Sequence, residues 1–160
     1  PCGICGTLVV DDNGPLQQYN SSNTDFLVAE SVLRTLPGRL QKQQDAFSQT
    51  GGLHASALFD QQGSILSLFE DVGRHNALDK LIGRELQNNN LPLFQSGLIL
   101  SGRTSFELIH KAALAGIPVV VSIGAPSSLA VDAAWEYEIT LAGFLQADRF
   151  NIYSFPRRIN

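Results

Sequence analysis

Hydrophobic and polar positions change their period along this chain, and each change marks an element boundary. In residues 53–59 and 64–69 apolar side chains fill two short runs on either side of Asp60-Gln61-Gln62-Gly63, whose polar residues and closing glycine suit a tight reversal. Two paired strands are predicted there. Upstream, Leu27, Val28, Val32, Leu33 and Leu36 recur at helical spacing after Asp25, with Pro37-Gly38 as the expected stop, and a second helix is expected over about 40–48. A short strand is expected at 7–10, ended by Asp11-Asp12-Asn13-Gly14-Pro15. After the hairpin the chain alternates: helices over 76–87, 105–115 and 127–136 are interleaved with strands over 97–100, 118–122 and 138–141, and a last strand is expected near 151–154.

Apolar strands alternating with amphipathic helices predict βαβ units, a parallel sheet covered by helices on both faces. The hairpin at the start makes the sheet mixed, and no Gly-x-Gly-x-x-Gly follows the first strand, which separates the pattern from a doubly wound nucleotide fold. The order is that of a three-layer α/β/α, cytidine-deaminase-like domain. At 160 residues, without repeats or low-complexity tracts, residues 1–160 are read as a single domain.

Composition narrows the picture. With 44% apolar and 16% charged residues the chain has a core to fill and does not read as disordered. A net charge of −4 supplies no global attraction to nucleic acid or an anionic membrane, so neither is an expected partner and a polyanion would need a local site. No apolar run approaches the roughly 18–20 residues of a membrane span. The chain has no Met and opens on Pro1-Cys2, so a preceding N-terminal region is expected to be missing. Both cysteines lie in the first hexapeptide, too close together to brace a domain, which argues for a reducing, cytoplasmic setting.

Candidate chemistry falls at three strand-to-helix junctions, 70–76, 101–105 and 124–128, because helix N-termini present unpaired N–H groups and partial positive charge. Two of them place Gly-Arg at the strand end: Gly73-Arg74, followed by His75, and Gly102-Arg103. Glycine permits close approach and arginine adds a forked donor, so the set reads as an anion-binding rim. The competing reading is structural: Asn76, Thr104 or Ser127 cap helices, and the arginines pair with Glu70, Asp71 or Glu107. Gly73, Gly102 and Gly124 are expected to cluster, since parallel strands end at one edge.

Of the histidines, His75 is the better functional candidate, beside Arg74 at a helix start; His54, after Gly51-Gly52, reads first as a hydrogen-bonded rim residue, and His110 as structural. Cys2-Gly3-Ile4-Cys5-Gly6 is open to four readings: a structural zinc site, for which ligand spacing is poor; a thioredoxin-like pair, although a strand rather than a helix follows; an inert thiol pair; or a nucleophilic, sulfur-carrying cysteine on a glycine-flanked loop. Zinc deaminases use His-x-Glu before Pro-Cys-x-x-Cys; here Pro1-Cys2-Gly3-Ile4-Cys5 comes first and His54-Ala55-Ser56 lacks the acid. No protein-bound metal is expected.

Taken together, Cys2-Gly3-Ile4-Cys5-Gly6, Thr50-Gly51-Gly52-Leu53-His54-Ala55, the run from Glu70-Asp71-Val72-Gly73-Arg74-His75-Asn76 through Lys80, Ser101-Gly102-Arg103, Ala115-Gly116-Ile117-Pro118 and the segment 140–153 resemble the FdhD family of formate dehydrogenase accessory sulfurtransferases. The resemblance implies a cytosolic homodimer that takes sulfur as a persulfide from an L-cysteine desulfurase and passes it to the molybdenum cofactor, bis-molybdopterin guanine dinucleotide, for formate dehydrogenase. It implies Cys2 as the persulfide carrier with Cys5 assisting, and a cofactor-binding stretch on Phe144, Leu145, Gln146, Ala147, Asp148 and Arg149. Phe144 and Arg149 suit a flat polyanion through apolar contact and charge. The alternatives are a cofactor-binding chaperone without sulfur chemistry and, weakened by the missing acid, a zinc deaminase.

Overall fold

The structure, a computed structural model, describes residues 24–160. Helix α1 (Glu30–Gln41) and helix α2 (Asp45–Thr50) precede the hairpin of strands β1 (His54–Phe59) and β2 (Ile65–Asp71). Then follow α3 (Arg74–Gln87), β3 (Gly97–Leu100), α4 (Phe106–Leu114), β4 (Val119–Ser122), α5 (Ser128–Glu136), β5 (Thr140–Gly143) and β6 (Asn151–Ser154), with a closing 3₁₀ turn at Pro156–Arg158. The strand expected at 7–10 lies outside the described residues.

Three expectations near the start are corrected. Pro37 does not stop the first helix but lies inside α1. A proline in a helix interior costs about 3 kcal/mol, whereas each fully buried leucine contributes about 1.5–3 kcal/mol. Leu33, Leu36 and Leu40 all lie on the buried stripe of α1, and continuing past Pro37 is what brings Leu40 into the core. Leu27 and Val28 are not helical either. Val28 forms a parallel bridge with Ile159 and exchanges backbone hydrogen bonds with Arg158 and Asn160, a long-range pairing that wins over local periodicity. The second helix shrinks to α2, which Gly51 ends at a φ of 68°, where a side chain would be strained. β5 likewise begins later than predicted: Glu138 has a φ of 54°, and Ile139 N–H closes the end of α5 on the Ala134 carbonyl.

One sheet holds all six strands in the order β2-β1-β3-β4-β5-β6. β1 is antiparallel to both β2 and β3, β3, β4 and β5 are parallel, and β6 returns antiparallel to β5. Each crossover from β2 through α3, α4 and α5 advances in one direction along the sheet, and right-handed crossovers of that kind put all three helices on one face. Accordingly Leu78 and Leu81, Leu108 and Ile109, and Ala130 and Ala134 share a core with Leu98, Leu100, Val120 and Leu141. On the other face α1 and Phe26 cover Ala57, Phe59, Ile99, Val121 and Ala142. The result is the expected three-layer α/β/α arrangement on a mixed sheet.

Candidate functional site

Because β2 and β3 are both antiparallel to β1, β2 runs in the same direction as β3, β4 and β5. Asp71, Leu100, Ser122 and Gly143 therefore end their strands at one edge, joined there by His54 at the start of β1, which lies opposite Asp71. The second and third junctions touch directly. Gly124 N–H donates to the Gly102 carbonyl at 3.2 Å, Thr104 N–H to the Ala125 carbonyl at 3.1 Å, and Ser127 N–H to the Thr104 carbonyl at 2.9 Å. A side chain on Gly124 would start 2.8 Å from the Arg103 nitrogen and the Gly102 carbonyl, so only glycine lets these loops meet. The first junction is tied to the second by His75, whose Nε2 lies 2.9 Å from Ser105 Oγ. The expected convergence is therefore present.

The structural alternative holds only in part. Ser127 does cap α5, its Oγ accepting from Ala130 N–H at 3.2 Å, but Asn76 lies within α3 and donates to Asp71, and Thr104 is buried with its Oγ1 unpartnered among the described residues. The carboxylates are committed elsewhere. Glu70 accepts from the N–H groups of Ala46 and Phe47 at 3.0 and 2.9 Å, capping α2; Asp71 pairs with Lys80; Glu107 pairs with Lys111 at 3.1 Å. Among the described residues none of these acids pairs with Arg74 or Arg103, and the Arg74 Nε is buried without a hydrogen-bond partner.

Electrostatics follow from these contacts. Hydrogen bonds from Lys80, the Gly73 N–H and the Asn76 amide hold the Asp71 carboxyl down at about 2, so it stays ionised and neutralises Lys80. Burial pushes the His75 imidazole below its ordinary value; Arg74 and Lys111 add to this, while Glu107, 3.7 Å away, opposes it. At neutral pH His75 is an uncharged link to Ser105.

The stretch 144–149 leaves β5 at the same edge. Phe144 N–H donates to the Gly124 carbonyl at 3.1 Å and Leu145 N–H to the Ser122 carbonyl at 3.0 Å. Phe144 takes a φ of 54° with 45% of its surface exposed, whereas Leu145 is 1% exposed, so Leu145 anchors the loop in the core and Phe144 is presented outward. Gln146, Ala147, Asp148 and Arg149 are exposed, and Arg149 Nε donates to Gln146 Oε1 at 3.1 Å. Cys2 and Cys5 lie outside the described residues.

The sequence ranked His54 below His75, and the structure reverses their freedom. His75 is bound; His54 lines a cleft of about 560 Å³ between the sheet edge and helices α1 and α2, with Phe47, Gly51, Gly52, Ser101 and Ile123 among its walls. The Ser105 contact to His75, 30 residues away in the chain, and the Glu70 cap had no signal in the sequence. Ser56, where a deaminase would place its glutamate, is a buried hydroxyl on β1. Among the described residues no three His, Cys, Asp or Glu side chains are grouped to hold a metal, and no helix is long and apolar enough to cross a membrane.

A mixed sheet in this order, with helices crossing one face and three junctions meeting at one edge, defines an α/β/α domain whose candidate site lies at its strand ends. Residues 1–160 match the FdhD/NarQ family, and the chain belongs to that family. It is similar to the sulfur carrier protein FdhD of Streptomyces coelicolor, 48% identical over 159 residues that make up 99% of this chain and 56% of that protein. A crystal structure of a Desulfotalea psychrophila protein assigned as a formate dehydrogenase accessory protein superposes with a TM-score of 0.78 at 28% identity, covering 86% of this chain and 58% of that one. Guanine deaminase from Nitrosomonas europaea superposes with a TM-score of 0.50 at 11% identity, over 91% of this chain and 93% of that one, a likeness of fold alone. The chain thus spans little more than half the length of the curated relatives it matches.

Proposed function

We propose that this chain is the sulfur-accepting and ligand-binding part of a sulfur carrier serving formate dehydrogenase. Sulfur arrives from an L-cysteine desulfurase. The Cys2 thiolate attacks the outer sulfur of the donor persulfide, the S–S bond to the donor breaks and the donor leaves as a thiolate, so that Cys2 holds Cys–S–SH with no net oxidation. Cys5 assists or resolves. The sulfur is then passed to the molybdenum cofactor, bis-molybdopterin guanine dinucleotide, bound as substrate along the junction edge, and the reading includes a cytoplasmic homodimer.

The observation that carries this proposal is the state of the cations at that edge. Arg74 begins α3 and Arg103 lies in the loop leading into α4, while the surrounding carboxylates are committed to other partners. Helix N-termini with uncommitted guanidinium groups favour phosphate. The space beside Gly73 is taken by the Asn76 amide, 3.1 Å from where a Cβ would stand, and that beside Gly102 by the His54 ring at 3.0 Å, so these glycines serve packing rather than ligand approach. Phe144 offers an apolar face beside Gly124 for the guanosine end, with Arg149 further along the loop.

The test is the intact mass of the full-length protein after incubation with a desulfurase and L-cysteine. Gain of one sulfur atom, lost in Cys2→Ala, is expected. A protein that binds guanine nucleotide yet never gains sulfur would be a cofactor chaperone instead.

A further inference from the structure

The end of the sheet away from the junctions carries charges that the function above does not use. There β1 pairs Leu58 with Ser67 of β2 and with Leu98 of β3, and a pocket of about 670 Å³ opens between β2, the last turn of α3 and the connection from α3 to β3. Arg84, Glu85, Leu58, Leu66, Leu93 and Phe94 are among its walls.

Glu85 is the informative residue. Only 7% of its surface is exposed, and a carboxylate withdrawn from water to that degree ordinarily sits against a cation. Among the described residues no cation pairs with it. Its side chain is held by the Asn90 amide, which donates to Oε2 at 2.7 Å, while Asn90 N–H donates to the Glu85 carbonyl at 2.9 Å. These bonds fix the carboxylate and leave Oε1 without a partner among the described residues. Arg84 lines the same pocket and is exposed, yet it pairs neither with Glu85 nor with any other carboxylate among the described residues.

Opposite charges that share one pocket without meeting leave complementary ends for a ligand that carries both. Its cation belongs at Glu85, in the last turns of α3, where the aligned peptide dipoles favour positive charge. Its carboxylate belongs at the forked guanidinium of Arg84. Leu58 and Leu93 are buried and give the pocket an apolar wall, extended by Leu66 and Phe94, so the remainder of the ligand is apolar. We propose that this pocket binds a free α-amino acid with an apolar side chain, held through its ammonium by Glu85 and through its carboxylate by Arg84. None of these residues belongs to the junctions or to the 144–149 loop, so the proposal goes beyond the sulfur-carrier reading and stands or falls separately from it.

Ligand-observed NMR titration of the full-length protein at pH 7 tests this with three probes: L-leucine, L-leucinamide, which lacks the carboxylate, and 4-methylpentanoate, which lacks the ammonium. Wild type is expected to bind L-leucine with a Kd of about 1 mM or below and each truncated probe at least about 10-fold more weakly, the cost of one lost charge-assisted contact. Arg84→Gln is expected to weaken L-leucine by a similar factor and leave L-leucinamide unchanged. Glu85→Gln, which keeps the shape of the buried side chain, is expected to weaken L-leucine and leave 4-methylpentanoate unchanged, and thermal unfolding establishes that both variants fold. Wild type that does not bind L-leucine at about 10 mM, equal binding of the three probes, or unchanged L-leucine affinity in either folded variant would overturn the proposal. Where Glu85→Gln does not fold, the three probes on wild type and on Arg84→Gln decide it.

Discussion

The proposed phosphate binding rests on Arg74 and Arg103 more than on any other residues. Arg74 begins α3 and Arg103 lies in the loop leading into α4, and the acids that could have neutralised them are occupied by Lys80, Lys111 and the N-terminus of α2. Hydrogen bonds to charged groups contribute about 1.5–3 kcal/mol, so Arg74→Gln and Arg103→Gln are each expected to weaken GDP binding by roughly 10- to 100-fold and to flatten its salt dependence. Isothermal titration at two salt concentrations measures this, and unchanged affinity in both variants would return the arginines to a purely structural role. A second expectation concerns pH. Burial lowers the pKa of His75 and of His110, so the unfolded chain binds protons at a higher pH than the folded one. Their contribution to stability is complete above about 6.5 and is lost as pH falls through the lowered folded values. Urea unfolding across pH 5–7 should show stability rising with pH, with a shallower slope in His75→Gln.

Elements, more than residues, set the shape of the cleft. α2 is only six residues long and carries no buried side chain, so packing does little to hold it. The Glu70 carboxylate holds it instead, bonding two of its first N–H groups across from the end of β2. Glu70→Ala is expected to cost about 1–2 kcal/mol, as lost helix caps do, with amide exchange accelerating over 45–52 well before the rest of the protein. Uniform exchange across the molecule would mean that α2 is secured by something other than this cap. α1 teaches a related lesson. Its stripe of leucines was legible in the periodicity, but its ends were not, because Val28 exchanged local helix for a bridge to Ile159 and Pro37 was carried along by Leu40.

The molecule as a whole joins its second and third junctions through one glycine contact, while His75 and Ser105 tie in the first. Gly124→Ala would drive a methyl group to 2.8 Å from the Arg103 nitrogen and the Gly102 carbonyl, backbone atoms that cannot rotate away. A loss of about 1–3 kcal/mol in stability, typical of overpacking, is expected together with weakened GDP binding, because the Arg103 loop shifts. Retained affinity at reduced stability would separate the contact from ligand binding.

At this scale the division between local and long-range information is plain. The hairpin around 60–63, the alternating helices and strands after it, the mixed three-layer class and the junctions with glycine and arginine could be read along the chain, since turn chemistry, hydrophobic period and strand-to-helix order are local properties. The convergence of Gly73, Gly102 and Gly124 followed from strand direction alone. Which cations stayed unpaired among the described residues, which histidine was held by Ser105 and which faced a cleft, and that Leu145 is buried while Phe144 is exposed were settled by contacts between residues far apart in sequence. Pairing of that kind depends on how strands and helices pack against one another in three dimensions, and no period or spacing in a single chain encodes it.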